Sequence, residues 1–198
     1  VGSMQGTYSA FLAAGNADPE KDTALFIDPG FPVQKQQMMV LGLKYETFDV
    51  FHFRGEKLRE KLEHFLSMGN INSIIYSNPN NPSWICFTEK ELEIIGDLAN
   101  KYDVIVMEDL AYFGMDFRRD LSKPGEPPFQ STVAKYTNNF ILFISSSKIF
   151  SYAGQRCGLM VISDQLFDRE FEGLQKRFRG PTFGSTITLR ILYSISSG

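Results

Sequence analysis

The stretch of sequence that decides the fold is Ser145-Ser146-Ser147-Lys148-Ile149-Phe150-Ser151-Tyr152-Ala153-Gly154-Gln155-Arg156-Cys157-Gly158. It follows the apolar run 140–144, which has the composition of a strand buried on both faces of a parallel sheet. A second apolar run, 159–162, comes directly after it. Three hydroxyls, a lysine and an arginine are therefore predicted to lie together at the end of a core strand.

Lys148 and Arg156 give this stretch its chemistry. A lysine at the end of a core strand is expected to be partly desolvated, which favours the neutral, nucleophilic amine. Arginine offers a planar fork to a phosphate, and Gly154 and Gly158 allow the backbone to approach a ligand closely. Each residue alone is more often an ordinary surface group, but the ordered set favours a ligand site.

The composition is that of a globular protein with one domain. The 198 residues are 43% hydrophobic and 22% charged, and a chain of this size buries roughly 70% of its unfolded surface. The net charge of -3 and the lack of a basic run argue against a nucleic-acid partner. The longest apolar runs are too short to span a membrane, so no membrane association is expected.

Cysteine and histidine usage excludes two further classes of protein. Two cysteines are too few for a disulfide framework. His52 and His64 lack the spacing of a metal site, so no metal is expected. The first residues show no signal-peptide pattern, and a cytoplasmic location is expected.

Two more polar clusters follow predicted strands. Ser77-Asn78-Pro79-Asn80-Asn81-Pro82-Ser83-Trp84 follows the strand predicted at 71–76, and Glu108-Asp109-Leu110-Ala111-Tyr112 follows the one at 104–107. Strands alternate with helical patterns, which predicts a three-layer α/β/α sandwich with a mainly parallel central sheet. Open parallel sheets bind ligands at the carboxyl ends of their strands, where these clusters lie. The acids Glu108 and Asp109 fall at such a strand end, where burying a carboxylate costs several kcal/mol of desolvation free energy unless it meets a cation.

Together these stretches resemble the class I/II aminotransferases, which are fold-type I enzymes that use pyridoxal phosphate (PLP). The matching motifs are Ser-x-x-Lys…Gly-x-Arg-x-Gly, Asn-Pro-Asn-Asn-Pro and Asp-x-x-Tyr. By this resemblance Lys148 forms a Schiff base with PLP and Arg156 binds its phosphate. Ser145 and Ser147 supply hydroxyls to the phosphate or to the lysine.

The resemblance also implies how the cofactor ring is held. Asp109 pairs with the pyridinium nitrogen and keeps it protonated, so that the ring works as an electron sink. Asn81 and Tyr112 donate to the phenolic O3′. Phe31, in the corner Asp28-Pro29-Gly30-Phe31-Pro32, stacks on the ring. Glu108 is expected to be structural.

Two local features accompany these roles. Ser3, Met4 and Gln5 form a turn ahead of a helix predicted from Tyr8, and the family places such a turn under the PLP phosphate, bound largely through backbone amides. Trp84 departs from the family, which has glycine at this point of its asparagine-proline motif. The indole is expected to alter the loop and the substrate pocket.

The resemblance covers nearly the whole chain as the PLP-binding large domain. It implies that residues 1–198 are a piece of a longer protein without its N-terminal segment and C-terminal small domain. It further implies amino-acid and 2-keto-acid substrates and a homodimer. Near the end of the chain, residues 164–179 are predicted to form one helix, with another from 186.

Two alternatives to an aminotransferase stay open. One is another PLP reaction on the same scaffold, such as that of a C–S lyase, a decarboxylase or a synthase. The other is a non-catalytic, aminotransferase-like effector domain of a transcription regulator. The motifs are more specific for the PLP scaffold than for the reaction.

Overall fold

A computed structural model describes residues 2–123 and 125–196 of the chain. Val1, Pro124, Ser197 and Gly198 lie outside the described residues, so the large domain predicted over residues 1–198 is not described at these four positions. The elements in chain order are α1 Ser3–Ala14, β1 Thr23–Asp28, α2 Pro32–Leu41, β2 Lys44–Asp49, α3 Glu56–Leu66, β3 Ile71–Ser77, α4 Glu89–Tyr102, β4 Ile105–Leu110, β5 Phe140–Ser145, α5 Ser146–Ile149, β6 Gly158–Ile162, α6 Asp164–Phe167, α7 Glu172–Phe178 and α8 Phe183–Ser196.

The strands form one sheet in the order β2-β1-β3-β4-β5-β6. All neighbouring pairs are parallel except β5 and β6, which are antiparallel. Every residue of β3 and β4 is buried, including the polar Asn72 and Ser73 of β3 and the acids Glu108 and Asp109 of β4. The predicted mainly parallel α/β sheet is confirmed.

Helices cover both faces of this sheet. Successive residues of a strand point to opposite sides, so an apolar strand such as β1 gives each face apolar side chains that pack against helices. Leu25 and Ile27 of β1 pack in a core that includes residues of α3 and α4. Ala24 and Phe26 of the same strand pack in a second core with residues of α1, α2 and α8. The arrangement is a three-layer α/β/α sandwich.

The order of the strands fixes where a ligand can bind. The chain passes from β1 to β2 on one side and then crosses to β3 on the other side of β1. In open α/β sheets such a reversal leaves a crevice at the carboxyl ends of the strands. The ends of β1, β3, β4 and β5 therefore bring the segments after Asp28, Ser77, Leu110 and Ser145 to one edge.

The helix predicted at 164–179 is wrong as a single element. Two short helices, α6 and α7, replace it. Between and within them the chain is held to other parts of the fold: Arg169 pairs with Asp103 at 2.6 Å, and the Gly173 amide donates to the Ala17 carbonyl at 3.3 Å. These contacts compete with a continuous helix. The next helix begins at Phe183, earlier than predicted.

Helix α4 begins with a capping box, which the spacing of Thr88 and Glu91 in the sequence predicts. The Thr88 hydroxyl accepts from the Glu91 amide at 3.2 Å, and the Glu91 carboxylate accepts from the Thr88 amide at 2.9 Å. The same carboxylate accepts two bonds from the Arg54 guanidinium, at 2.6 and 2.7 Å, and one from the Gly55 amide. Burial alone would raise the pKa of Glu91, but these donors lower it to about 2. The pair joins the loop before α3 to the start of α4.

No helix within residues 2–123 and 125–196 is long and apolar enough to cross a membrane.

The Glu91–Arg54 pair predicts a pH-dependent loss of stability. Glu91→Gln removes the charge and should lower the free energy of unfolding at neutral pH by roughly 1–3 kcal/mol. The pKa of Glu91 is about 2 in the folded protein against an ordinary 4.5. The contribution is therefore complete above about pH 4.5 and is lost as the pH falls towards 2.

Urea unfolding at a series of pH values measures this difference. Glu93→Gln is the matched control, because Glu93 lies on the same helix in an exposed pair with Lys90. The difference in the free energy of unfolding between the Glu91→Gln variant and the unmodified protein should become smaller in the acid range. A difference that stays constant from neutral pH to pH 2 would show that the charge of Glu91 does not stabilise the fold.

Candidate active site

A cavity of about 240 Å³ opens at the carboxyl edge of the sheet. Every predicted site residue except Gln5 lines it. Its lining consists of Ser3, Met4, Phe31, Ser77, Asn81, Asp109, Ala111, Tyr112, Ser145, Ser147, Lys148, Ala153 and Arg156. Residues that are up to 153 positions apart in the sequence thus share one cavity.

The first turn of α1 forms one wall. The predicted turn ahead of a helix at Tyr8 is wrong, because the helix itself begins at Ser3. Ser3 and Met4 therefore lie in the first turn, where backbone N–H groups have no partner within the helix and favour an anion. Gln5 lies beside a neighbouring groove instead, and its amide already donates to the Gly2 carbonyl at 3.1 Å.

Arg156 reaches the start of α1 because two glycines leave room. A Cβ on Gly2, whose φ is +71°, would lie 2.9 Å from Arg156 Nη2. A Cβ on Gly158 would lie 2.5 Å from the Ser3 amide nitrogen. The predicted close approach thus occurs at Gly158, whereas a Cβ on Gly154 would meet nothing within 4 Å. A guanidinium and a helix N-terminus form a cradle suited to a phosphate.

Lys148 follows the end of β5 on the single-turn helix α5. Ser145 caps this turn, its hydroxyl accepting from the Ser147 amide at 3.2 Å. The expected desolvation of Lys148 is wrong for this chain, because its side chain is exposed. Helix α5 lies beyond the end of the strand, so that Lys148 lines the cavity and is also exposed to solvent.

Asp109 is the buried acid of the site. It lies near the end of β4, in register with Ser77 of β3 and Phe143 of β5. One carboxylate oxygen accepts from the Ala111 amide at 3.0 Å, and the other accepts from Gln34 Nε2 at 2.8 Å. Burial raises the pKa of Asp109 to about 6, although both donors lower it. A cation placed beside this carboxylate would be strongly favoured.

Glu108 precedes Asp109 but is absent from the residues that line the cavity. Its carboxylate accepts from Asn78 Nδ2 at 3.0 Å and from the Val133 amide at 2.9 Å. Burial raises the pKa of Glu108 to about 7. The bond from Asn78 holds the start of residues 78–84, the asparagine-rich loop, against β4.

Asn80 holds that loop against the corner after β1. Its Nδ2 donates to the Pro29 carbonyl at 2.5 Å and to the Ser77 hydroxyl at 2.9 Å. Its Oδ1 accepts from the Ser83 hydroxyl at 2.7 Å. Asn81 of the fixed loop and Phe31 of the corner both line the cavity.

The sequence gives no signal for Gln34. It lies on α2 in the run of four polar residues 34–37, which reads as a solvated face, and its partner Asp109 is 75 positions away. A buried amide facing an acid is recognisable only once β4 and α2 are placed together. Ser77 and Ala111, by contrast, lie within the two sequence stretches 77–84 and 108–112 from which other site residues were predicted, so the motifs could have indicated them.

Gln34→Leu is predicted to raise the pKa of Asp109 above about 6 in the cofactor-free protein, because the carboxylate loses a donor. Carbon-13 NMR of the carboxyl group measures the titration directly. Since the folded pKa exceeds the ordinary 3.8, the folded protein loses stability as the pH rises from about 4 to about 6. The variant should extend this loss to higher pH.

Gln36→Leu is the control for that experiment, since Gln36 lies on the same helix but is exposed. It should leave the titration of Asp109 in place. If the pKa of Asp109 were unchanged in the Gln34→Leu variant, the hydrogen bond from Gln34 would not stabilise the ionised carboxylate, and the prediction would be wrong.

Comparison with known proteins identifies the family. The sequence model of the class I and II aminotransferases matches residues 2–198, so the chain belongs to that family. An aspartate aminotransferase of Sulfolobus acidocaldarius is 23% identical over 188 residues, which cover 91% of this chain and 44% of the relative. The chain thus spans less than half the length of this curated relative.

Solved structures show the same fold. An aspartate aminotransferase double mutant of Thermus thermophilus superposes with a TM-score of 0.66 at 15% identity, covering 100% of this chain and 49% of the other. A PLP-bound C–S lyase of Staphylococcus hominis gives 0.60 at 18% identity, covering 95% of this chain and 45% of the other. At these identities the likeness describes architecture.

Proposed function

We propose that this chain is the cofactor-binding part of an aminotransferase that moves an amino group between an amino acid and a 2-keto acid. The observation that carries the proposal is the lining of one cavity. A lysine, an arginine beside a helix N-terminus and a buried carboxylate all face it. Family membership supports the same function.

Pyridoxal phosphate is the cofactor of the family, and the residues present fit it. The cradle formed by Gly2, Gly158 and Arg156 suits a phosphate, and the buried Asp109 suits a protonated ring nitrogen. The residues that would hold the group are Ser3, Met4, Ser145, Ser147 and Arg156 at the phosphate, Phe31 against the ring, Asn81 and Tyr112 at O3′, Asp109 at the ring nitrogen and Lys148 through Nζ.

The chemistry divides between the cofactor and three side chains. When bound, PLP supplies an electrophilic carbonyl and an electron-withdrawing ring. With the cofactor bound, Lys148 Nζ would take up the proton from the substrate Cα and would give it up again when the product forms. Asp109 would be ionised beside the cationic ring nitrogen and would keep that nitrogen protonated. Tyr112 would orient the cofactor through its hydroxyl.

The wider arrangement is part of the same proposal. Residues 1–198 act as the PLP-binding large domain of a protein that works as a cytoplasmic homodimer. Its substrates are an amino acid and a 2-keto acid. Family members supply the precedent for the substrates and for dimers.

A C–S lyase is the second candidate, because a lyase structure shares this fold with a TM-score of 0.60. Analysis of products from single amino acids separates the two reactions. An aminotransferase requires a keto-acid acceptor for turnover, whereas a lyase releases its products without one.

Lys148→Ala is predicted to abolish the visible absorption of the lysine-bound cofactor and the turnover of the intact protein. The reason is that Nζ is both the attachment point and the proton carrier. Borohydride reduction followed by peptide mapping should find the pyridoxyl group on Lys148. Lys135→Ala, at an exposed lysine outside the cavity, is the control. A pyridoxyl group on any other lysine would sink the assignment.

Asp109→Asn is predicted to retain PLP but to slow proton abstraction by orders of magnitude, each tenfold being about 1.4 kcal/mol of barrier. Glu108→Gln is the matched control, because Glu108 is buried next to Asp109 but lies outside the cavity lining. Glu108→Gln should slow proton abstraction far less than Asp109→Asn does. Single-turnover measurements of both variants decide the matter, and equal losses would mean that Asp109 has no special role at the ring.

A further inference from the structure

An aromatic cluster of three residues continues the cavity outward. Tyr112 lines the cavity, and its ring meets the Trp84 ring edge to face, with centroids 5.2 Å apart. Trp84 in turn stacks on Phe117, with centroids 5.8 Å apart and planes 12° from parallel. The cluster Trp84–Tyr112–Phe117 therefore joins the asparagine-rich loop to the segment after β4.

The backbone at Trp84 is held in a costly conformation. Its φ is +57°, a left-handed value that is unfavourable for a residue with a bulky side chain. The Trp84 amide donates to the Asn80 carbonyl at 2.9 Å, and Asn80 is fixed by the contacts described above. Strain of this kind persists where the surroundings fix it, and it is frequent at ligand sites.

The outer part of the cluster presents apolar surface. Trp84 is 40% exposed and Phe117 is 79% exposed. Aromatic rings attract further rings in stacked or edge-to-face geometry, as the cluster itself shows. A ligand anchored in the cavity and extending past Tyr112 would reach these rings.

The neighbouring charges are already paired. Arg118 binds the Asp116 carboxylate through two bonds, at 2.8 and 2.7 Å. Arg119 pairs with Glu89 at 3.5 Å. An acidic side chain of a ligand would compete with these carboxylates for the arginines, whereas an aromatic side chain would not.

We propose that this cluster receives the side chain of an aromatic amino-acid substrate. The inference rests on the proposed function and specifies its substrate class. Trp84 and Phe117 contact the substrate ring, and Tyr112 connects that surface to the cofactor.

The reaction of single amino acids with the PLP-loaded intact protein tests the proposal, because the cofactor absorption reports each half-reaction. We expect phenylalanine to react with a higher kcat/KM than alanine or aspartate. Trp84→Gly should lower the ratio of phenylalanine to alanine about tenfold, and Phe117→Ala should lower it several-fold. Glycine tolerates the left-handed backbone and Phe117 is exposed, so both variants should fold.

Phe51→Ala is the control, since Phe51 is 71% exposed and lies in the turn after β2, outside the cluster. It should leave the ratio unchanged. A ratio that stays constant in the Trp84 and Phe117 variants would overturn the proposal. So would a change of sedimentation in those variants without a change of ratio, because the cluster would then be a protein interface.

A binding measurement separates this inference from the proposed function. Trp84 is the only tryptophan of residues 1–198, so the emission that the intact protein loses in the Trp84→Gly variant reports the cluster. The unreactive probe 3-phenylpropionate should shift this emission, and propionate should not. If no amino acid alters the cofactor absorption, the proposed function fails, and the probe still decides on aromatic recognition. An unshifted emission with 3-phenylpropionate would overturn it.

Discussion

The site depends on one buried carboxylate. Asp109 lies at the carboxyl end of a central strand, where burial raises its pKa to about 6. It is tolerated there because the Gln34 amide and the Ala111 N–H each satisfy one of its oxygens. Helix α2 and the end of β4 must be in place for both bonds. A cation placed beside this poorly solvated carboxylate would therefore be strongly favoured.

The sheet places the remaining groups around this acid. Reversal of strand order between β1 and β3 opens a crevice, and β5 carries Lys148 to the same edge. Asn80 bonds the two loops that flank the reversal. The candidate site is therefore held by rigid strands and by short polar contacts between their loops, and its side chains lie at the strand ends and on the segments beside them.

Much of this arrangement was predictable from the sequence, because the signals are local. Apolar runs ending in polar motifs predict parallel strands with a ligand edge, and Thr88 with Glu91 predicts the start of α4. The failures concern non-local contacts. The helix at 164–179 divides where Arg169 and Gly173 dock on distant segments, and Gln34 acquires its meaning only from Asp109. The exposure of Lys148 depends on the placement of α5 beyond the sheet, which no periodicity encodes.

The antiparallel return of β6 has a geometric consequence for Lys148 and Arg156. The last paired residues of β5 and β6 are Ser145 and Gly158, and the Ser146 hydroxyl donates to the Cys157 carbonyl at 3.0 Å just beyond them. The segment 146–157 is therefore an excursion with clamped ends, like an Ω-loop. Its length sets the span between Lys148 and Arg156 without disturbing strand register. Insertions or deletions within the segment would change that span while the pairing of β5 with β6 stays unchanged.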